Sequence, residues 1–238
     1  MMAEGAIMRI LFFIAILAPV AVPFSVKAAN RNYSVTSFER IRVEGPYAVT
    51  VATNSAPFAR ASGSTQALDA VAIRVEGPTL IIQANRNAWR GSYDSPGPVL
   101  IAVGTPNLRA ASIGGSGSLA IDRVRGLEFQ LSVGGAAEAR VSQADVDRFK
   151  LAVNGSGRVS VAGRAPALSA TILGPAAVDL APLTARDAAV ATQGASTVAF
   201  TATNSAKVTA AGTAAVTVSG RPACTVKASG SATVTGCQ

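Results

Sequence analysis

Gly114-Gly115-Ser116-Gly117 is followed to the end of the chain by relatives of itself: Gly134-Gly135-Ala136, Asn154-Gly155-Ser156-Gly157, Leu173-Gly174-Pro175-Ala176, Gln193-Gly194-Ala195, Ala211-Gly212-Thr213-Ala214 and Ser229-Gly230-Ser231-Ala232. With Gly115, Gly135, Gly155, Gly174, Gly194, Gly212 and Gly230 as anchors, the steps are 20, 20, 19, 20, 18 and 18 residues. A period in this range marks a repeat architecture. Two positions before the anchors stand Ile113, Val133, Val153, Ile172, Thr192, Ala210 and Ala228, and four after them stand Leu119, Ala139, Val159, Val178, Val198, Val216 and Val234. The positions four before and six after are apolar or small in the same way. Alternation with period two means strands, so each unit reads strand, glycine turn, strand, with its even positions facing one interior.

A unit of 18–20 residues cannot bury its own apolar face, and neighbouring units must stack to share a core. The predicted fold is therefore all-β, a β-solenoid or parallel β-helix with coils about 4.8 Å apart. Antiparallel hairpins closed into a barrel would also use strand-glycine-strand units. Corners such as Gly174-Pro175-Ala176, without the Asn-Gly or Asp-Gly of tight hairpins, favour the solenoid. The repetitive region runs over residues 108–238, and an N-terminal β region of more irregular turns over 29–107.

In that N-terminal region, Ile41-Arg42-Val43-Glu44-Gly45-Pro46 returns as Ile73-Arg74-Val75-Glu76-Gly77-Pro78, a spacing of 32. Gly45 follows the even-position rule on both sides through Ile41, Val43, Val49 and Val51; Gly77 follows it only on its N-terminal side. Gln66 to Ala70 reads as one helical turn. Asn85 to Pro98, with Trp89 and Tyr93, reads as a loop whose aromatics either contact a partner or cap the core. Open solenoid ends expose unpaired strand backbone, and Asn30 to Phe38 is the candidate cap at one of them.

Arg9, the apolar run Ile10 to Val22 and the small-x-small pattern Val26-Lys27-Ala28 make residues 1–28 a signal peptide, with Met8 an alternative start. No cysteine follows the cleavage region to suggest a lipoprotein, and the expectation is a periplasmic, surface or secreted protein with no membrane span after cleavage. Setting aside Arg9, Lys27 and Glu4 from 21 basic and 13 acidic residues leaves 19 and 12, a net charge of +7. Export argues against nucleic acid. The charge either attracts anionic glycans or lipid head groups, or simply keeps a β-rich protein soluble.

Cys224 and Cys237 are the two cysteines, and in an exported chain a disulfide between them is expected, contributing about 2–3 kcal/mol. Free thiols or a metal site are the alternatives. With no histidine and only two sulfurs, a closed zinc site is excluded. No metal or other cofactor is expected.

Ser37-Phe38-Glu39-Arg40-Ile41-Arg42-Val43-Glu44-Gly45, Thr105-Pro106-Asn107-Leu108 and the succession of Gly-Ser-Gly turns together resemble the bacterial "putative auto-transporter adhesin, head GIN domain" family (DUF2807) over about Ser37 to Val234. The resemblance implies an exported β-helical protein and brings no catalytic residues with it. Several Gly-Ser-Gly turns are replaced here by alanine-rich ones.

The glycine stretches do not carry chemistry of their own. Gly114-Gly115-Ser116-Gly117-Ser118 lacks the aspartate and nine-residue period of a calcium-binding repeat, and there is neither a Gly-Lys-Ser/Thr phosphate loop nor a Gly-x-Ser-x-Gly elbow. A serine nucleophile would also lack a histidine base. Carboxylate chemistry is the remaining enzymatic option. Its densest cluster is Glu128, Glu138, Asp145, Asp147, Arg148 and Lys150, with the two aspartates of Asp145-Val146-Asp147 on one side of a turn. No long loop walls them off, and a solvated corner is the plainer reading. Three before each anchor, Ser112, Ser132, Ala152, Thr171, Ala191, Thr209 and Lys227 should stack into a flat outer face suited to a polysaccharide or surface protein. The functional expectation is an exported, non-enzymatic adhesion, binding or envelope-structural module, with a carboxylate-based carbohydrate-active enzyme as the alternative.

Overall fold

A computed structural model describes residues 29–85 and 97–237. The expected signal peptide and the loop aromatics Trp89 and Tyr93 lie outside the described residues. The described chain forms a β-solenoid, and the glycine period is its geometric unit. Strands β1 (Ala29–Tyr33), β2 (Arg40–Glu44), β3 (Ala48–Thr53) and β4 (Phe58–Gly63) precede helix α1 (Thr65–Asp69), and β5 (Val71–Glu76), β6 (Thr79–Ala84), β7 (Leu100–Thr105) and β8 (Ala110–Gly114) follow it. Then come β9 (Ser118–Gly135), β10 (Glu138–Gly155), β11 (Arg158–Arg164), β12 (Ala167–Leu173), β13 (Ala177–Gly194), β14 (Thr197–Gly212), β15 (Ala215–Ser219), β16 (Ala223–Gly230) and β17 (Thr233–Thr235).

From β8 onward every coil pairs in parallel with the next. Val133 lies beside Ile113 and Val153, and Val153 beside Ile172, so the even-position columns of the sequence are columns in space. Their side chains are buried from Val43 through Val218, and the period-two alternation is thus the solenoid interior. Phe129 and Phe149 stack in register with ring centroids 5.7 Å apart and an interplanar angle of 44°. The polar Thr192, in an otherwise apolar or small column, is buried against Ser196, and their hydroxyls hydrogen-bond to each other. That mutual bond satisfies two groups that would each be costly to bury alone.

Each coil turns at two corners. The glycine corner stacks Gly45, Gly115, Gly135, Gly155, Gly174, Gly194, Gly212 and Gly230, all at positive φ. At Gly155, φ is +121° and a Cβ would lie 2.5 Å from the carbonyl oxygen of Gly135. The stack therefore needs glycine both for its dihedral and for the close backbone approach between coils. At the second corner buried Val124, Ala144, Leu183 and Ala202 point inward while the backbone of β9, β10, β13 and β14 runs through it as one long strand, and positive-φ glycines stand there in some coils only, Gly126, Gly163 and Gly220.

The order of coils along the axis differs from their order in sequence. β2 lies between β6 and β8, and β3 between β7 and β9, so the first coil is inserted between the second and the third. The two copies of the repeated hexapeptide accordingly play different parts. Ile41–Pro46 supplies β2, a parallel coil strand, whereas Ile73–Pro78 supplies β5, which pairs antiparallel with β6 through a hairpin at Gly77. That is why Gly77 follows the even-position rule on one side only.

Antiparallel strands close the N-terminal end: β1 pairs with β4, which pairs with β7. Helix α1 covers the core between them with Ala67 and Leu68 buried, its N-terminus capped by the Ser64 hydroxyl accepting from the Ala67 amide at 3.1 Å. The expected cap at Asn30 to Phe38 is present in part, as β1, but β4, α1 and β5 complete it.

At the other end, Cys224 and Cys237 are joined, with Cα atoms 5.7 Å apart. Cys224 is the second residue of β16 and Cys237 follows β17, so the bond closes the last described coil into a ring. The closed loop spans a separation of 13 residues, and its reduction is expected to cost about 2–3 kcal/mol. Because coils contact only their neighbours, hydrogen exchange should show protection lost in residues 223–237 first, with β9 to β13 unchanged. Uniform loss along the whole solenoid would contradict that local role.

Candidate functional site

The six charged residues singled out in the sequence do not converge on one cleft. Glu128, Arg148 and Lys150 do come together: Glu128 is in register with Arg148 and forms an ion pair with Lys150 Nζ at 2.9 Å and a longer one with Arg148 at 3.7 Å. Asp145 is in register with Arg125 on one side and Arg164 on the other, pairing with Arg164 at 3.8 Å. Asp147 is exposed beyond the buried Val146. Glu138 lies in the other leg of the coil, in register with Ser118 and Arg158. Exposed ion pairs of this kind each stabilise weakly and serve as surface ladders between coils.

A tighter polar node occurs at the same corner further along. The Asp187 carboxylate accepts from Ser205 Oγ at 2.6 Å, Asn204 Nδ2 at 2.6 Å and Arg186 Nε at 3.0 Å. Ser205 first, then Asn204, hold its pKa down from 3.8 to about 2. A depressed folded value means that the ionised node supports the fold fully above the unfolded carboxylate range, near 4, and that this support fades as pH falls towards about 2. Asp187→Asn should therefore lose stability at neutral pH and show a flatter stability profile between those values than the parent in acid-titrated denaturation. An unchanged profile would mean the node is not coupled to folding.

The outward column predicted from the sequence is present. Ser112, Ser132, Ala152, Thr171, Ala191, Thr209 and Lys227 follow one another in register across the stack. Its continuation lies outside the periodic alignment: Arg42 of β2 is the neighbour of Ser112, and Arg40 that of Ala110. Burial alternates along β2, so Arg40 and Arg42 both face out on either side of the buried Ile41. The signal for this was the alternation Arg40-Ile41-Arg42 at the start of the first hexapeptide copy, which is invisible as a surface feature until β2 is known to lie beside β8.

Around these arginines the surface forms a groove of about 890 Å³, with Ser112, Gln130 and Ser132 among its lining and Arg109 and Arg125 joining Arg40 and Arg42. At the second corner of this coil, Gly126 stands where the next coil has the buried Val146, and the following Leu127 is 75% exposed at the groove. A smaller groove of about 280 Å³ lies on the other leg between β3, β4 and β7, over Thr50, Arg60 and Ala102. Neither groove is lined by Asp145 or Asp147. Among the described residues no group of three His, Cys, Asp or Glu side chains is placed to hold a metal ion, and no helix is long and apolar enough to cross a membrane.

Comparison with known proteins bears first on the fold. A putative adhesin from Bacteroides fragilis NCTC 9343 is similar at a TM-score of 0.78 and 18% identity, covering 88% of this chain and 97% of that one. A putative adhesin from Parabacteroides merdae ATCC 43184 is similar at a TM-score of 0.71 and 15% identity, over 88% and 96% of the two chains. A putative lipid binding protein from Parabacteroides distasonis ATCC 8503 gives 0.68 and 18%, again over 88% and 96%. No curated protein matches the chain. The family model described as "putative auto-transporter adhesin, head GIN domain" matches residues 37–222, which include the inserted first coil and most of the stacked glycine corners. This chain belongs to that head GIN domain family.

Proposed function

We propose that the protein is an exported, non-enzymatic adhesion module that presents the outer face of its solenoid to a component of the cell envelope. The observation that carries this reading is the unbroken outward column from Arg42 through Ser112 to Lys227. Backbone pairing from coil to coil holds it in place, so it offers an extended surface rather than an enclosed cavity. Such a face contacts a partner over many small polar groups at once, as extended repeat surfaces do. Export is supported by the Cys224–Cys237 bond, since disulfides persist in oxidising compartments, and by the family's description as adhesins. The carboxylates are divided between two legs of the coil, Glu128 engaged by Arg148 and Lys150 and Asp145 by Arg164, which gives a paired acid and base no shared pocket.

The test is a screen of the folded, disulfide-intact protein on a glycan array and on immobilised envelope fractions. Saturable binding to at least one glycan or surface protein is expected. A protein that is folded and binds nothing in either format contradicts the proposal.

A further inference from the structure

We propose that the groove beside β2 is a binding site for an acidic polysaccharide, a glycan chain bearing carboxylate or sulfate groups; this rests on the adhesion reading and names its ligand class. The argument starts from unpaired charge. Among the described residues, Arg40, Arg42 and Arg125 form no ion pair, and the one carboxylate lining the groove, Glu128, is already engaged by Lys150 at 2.9 Å, as Arg109 is by Glu39 at 3.3 Å; Glu44, further along β2, does not line it. The groove of about 890 Å³ thus carries an excess of guanidinium groups over a floor of small and polar side chains. Guanidinium forks bind carboxylate and sulfate oxygens in pairs, and a groove lined by one sign of charge concentrates ligands of the other.

The spacing favours a chain over a single anion. Arg40 and Arg42, two residues apart on one strand, have their Cα atoms roughly 6.5 Å apart, and Arg125 stands further along the groove on β9, five residues before Gln130, the residue two strands across from Arg40. These groups match successive acidic groups along a polymer, while the register neighbours Thr79, Ile81, Ala110 and Ser112 carry no charge that would pair with them. A bilayer surface is less well matched: interfacial binding needs a band of exposed apolar side chains, and among the described residues Leu127 alone of the large exposed hydrophobics borders the groove.

The experiment compares retention of the full disulfide-intact protein on polygalacturonate and on dextran sulfate, with neutral dextran and phosphatidylglycerol vesicles alongside. Two double variants are matched for charge loss: Arg40→Gln/Arg42→Gln in the groove, and Arg140→Gln/Arg158→Gln, exposed on the other leg of the coil. The parent should bind both acidic polymers, ignore dextran, and weaken as salt is raised from about 0.05 to 0.5 M. The groove variant, checked for an unchanged melting transition, should bind at least ~10-fold more weakly, and the other variant within about twofold of the parent. Equal losses in the two variants would overturn the proposal in favour of dispersed charge, and binding to vesicles without binding to polymers would overturn it in favour of a membrane surface. If the groove variant behaves like the parent while envelope fractions are still bound, the groove assignment fails and the adhesion reading survives; a protein that binds no glycan or envelope fraction loses both.

Discussion

Replacing Gly155 with alanine is expected to destabilise the protein by roughly 3–5 kcal/mol, measured as a shift of the denaturation midpoint at constant m-value. Two costs combine at this position. A φ of +121° is a conformation that side-chain-bearing residues rarely adopt, costing about 1–3 kcal/mol. The new Cβ would also stand 2.5 Å from the Gly135 carbonyl oxygen, so the two coils must separate locally and weaken the corner bond from the Ser156 amide to that same oxygen, now 2.9 Å. Gly77→Ala isolates the first cost, because Gly77 has φ +56° and an added methyl group would meet nothing within 4 Å, and only about 1 kcal/mol is expected there. Equal losses at the two positions would mean that the approach between coils contributes nothing.

Phe149→Ala should cost about 3–5 kcal/mol by chemical denaturation, at the upper end for a core truncation. Phe149 is fully buried, stacked on Phe129 in the preceding coil and in register with Leu168 of the following one. Removing the ring therefore opens a cavity at two coil interfaces at once. Val234→Ala, in the half-buried last coil, faces a single neighbour at Val216 and should cost no more than about 1 kcal/mol. Comparable losses at both positions would contradict the nearest-neighbour picture of stability.

Much of this core was legible because a strand's alternation and a repeat's period are both local signals. Ile113, Val133, Val153 and Ile172 could be aligned by counting from their glycines, and they are buried neighbours. Within Gly114-Gly115-Ser116-Gly117 the residues differ in ways that counting does not show. Gly114 has open space for a side chain, Gly115 has φ +98°, and a methyl at Gly117 would meet the Tyr47 carbonyl oxygen at 2.5 Å. That last contact belongs to the inserted first coil, far away in sequence.

The insertion is also why the candidate site was only half legible. The Ser112-to-Lys227 column lies in the periodic region and followed from spacing, whereas Arg40 and Arg42 reach it only because β2 pairs with β8 rather than with its sequence neighbours. Near-identical sequence could not reveal that Ile41–Pro46 would become a coil strand and Ile73–Pro78 an end cap. Their alternation is the same and only their tertiary neighbours differ. The second corner was hard to foresee for a related reason: several coils turn there inside continuous strands on inward residues such as Ala144 and Leu183, and its glycines, Gly126, Gly163 and Gly220, mark only some coils and so set up no period.

That the solenoid binds an envelope glycan without transforming it is tested most directly by incubating the folded protein with envelope polysaccharide and reading retained protein and polysaccharide reducing ends together. Saturable retention with reducing ends unchanged over the incubation is the predicted result. Release of new reducing ends by the parent protein, or absence of any saturable retention, would contradict the account.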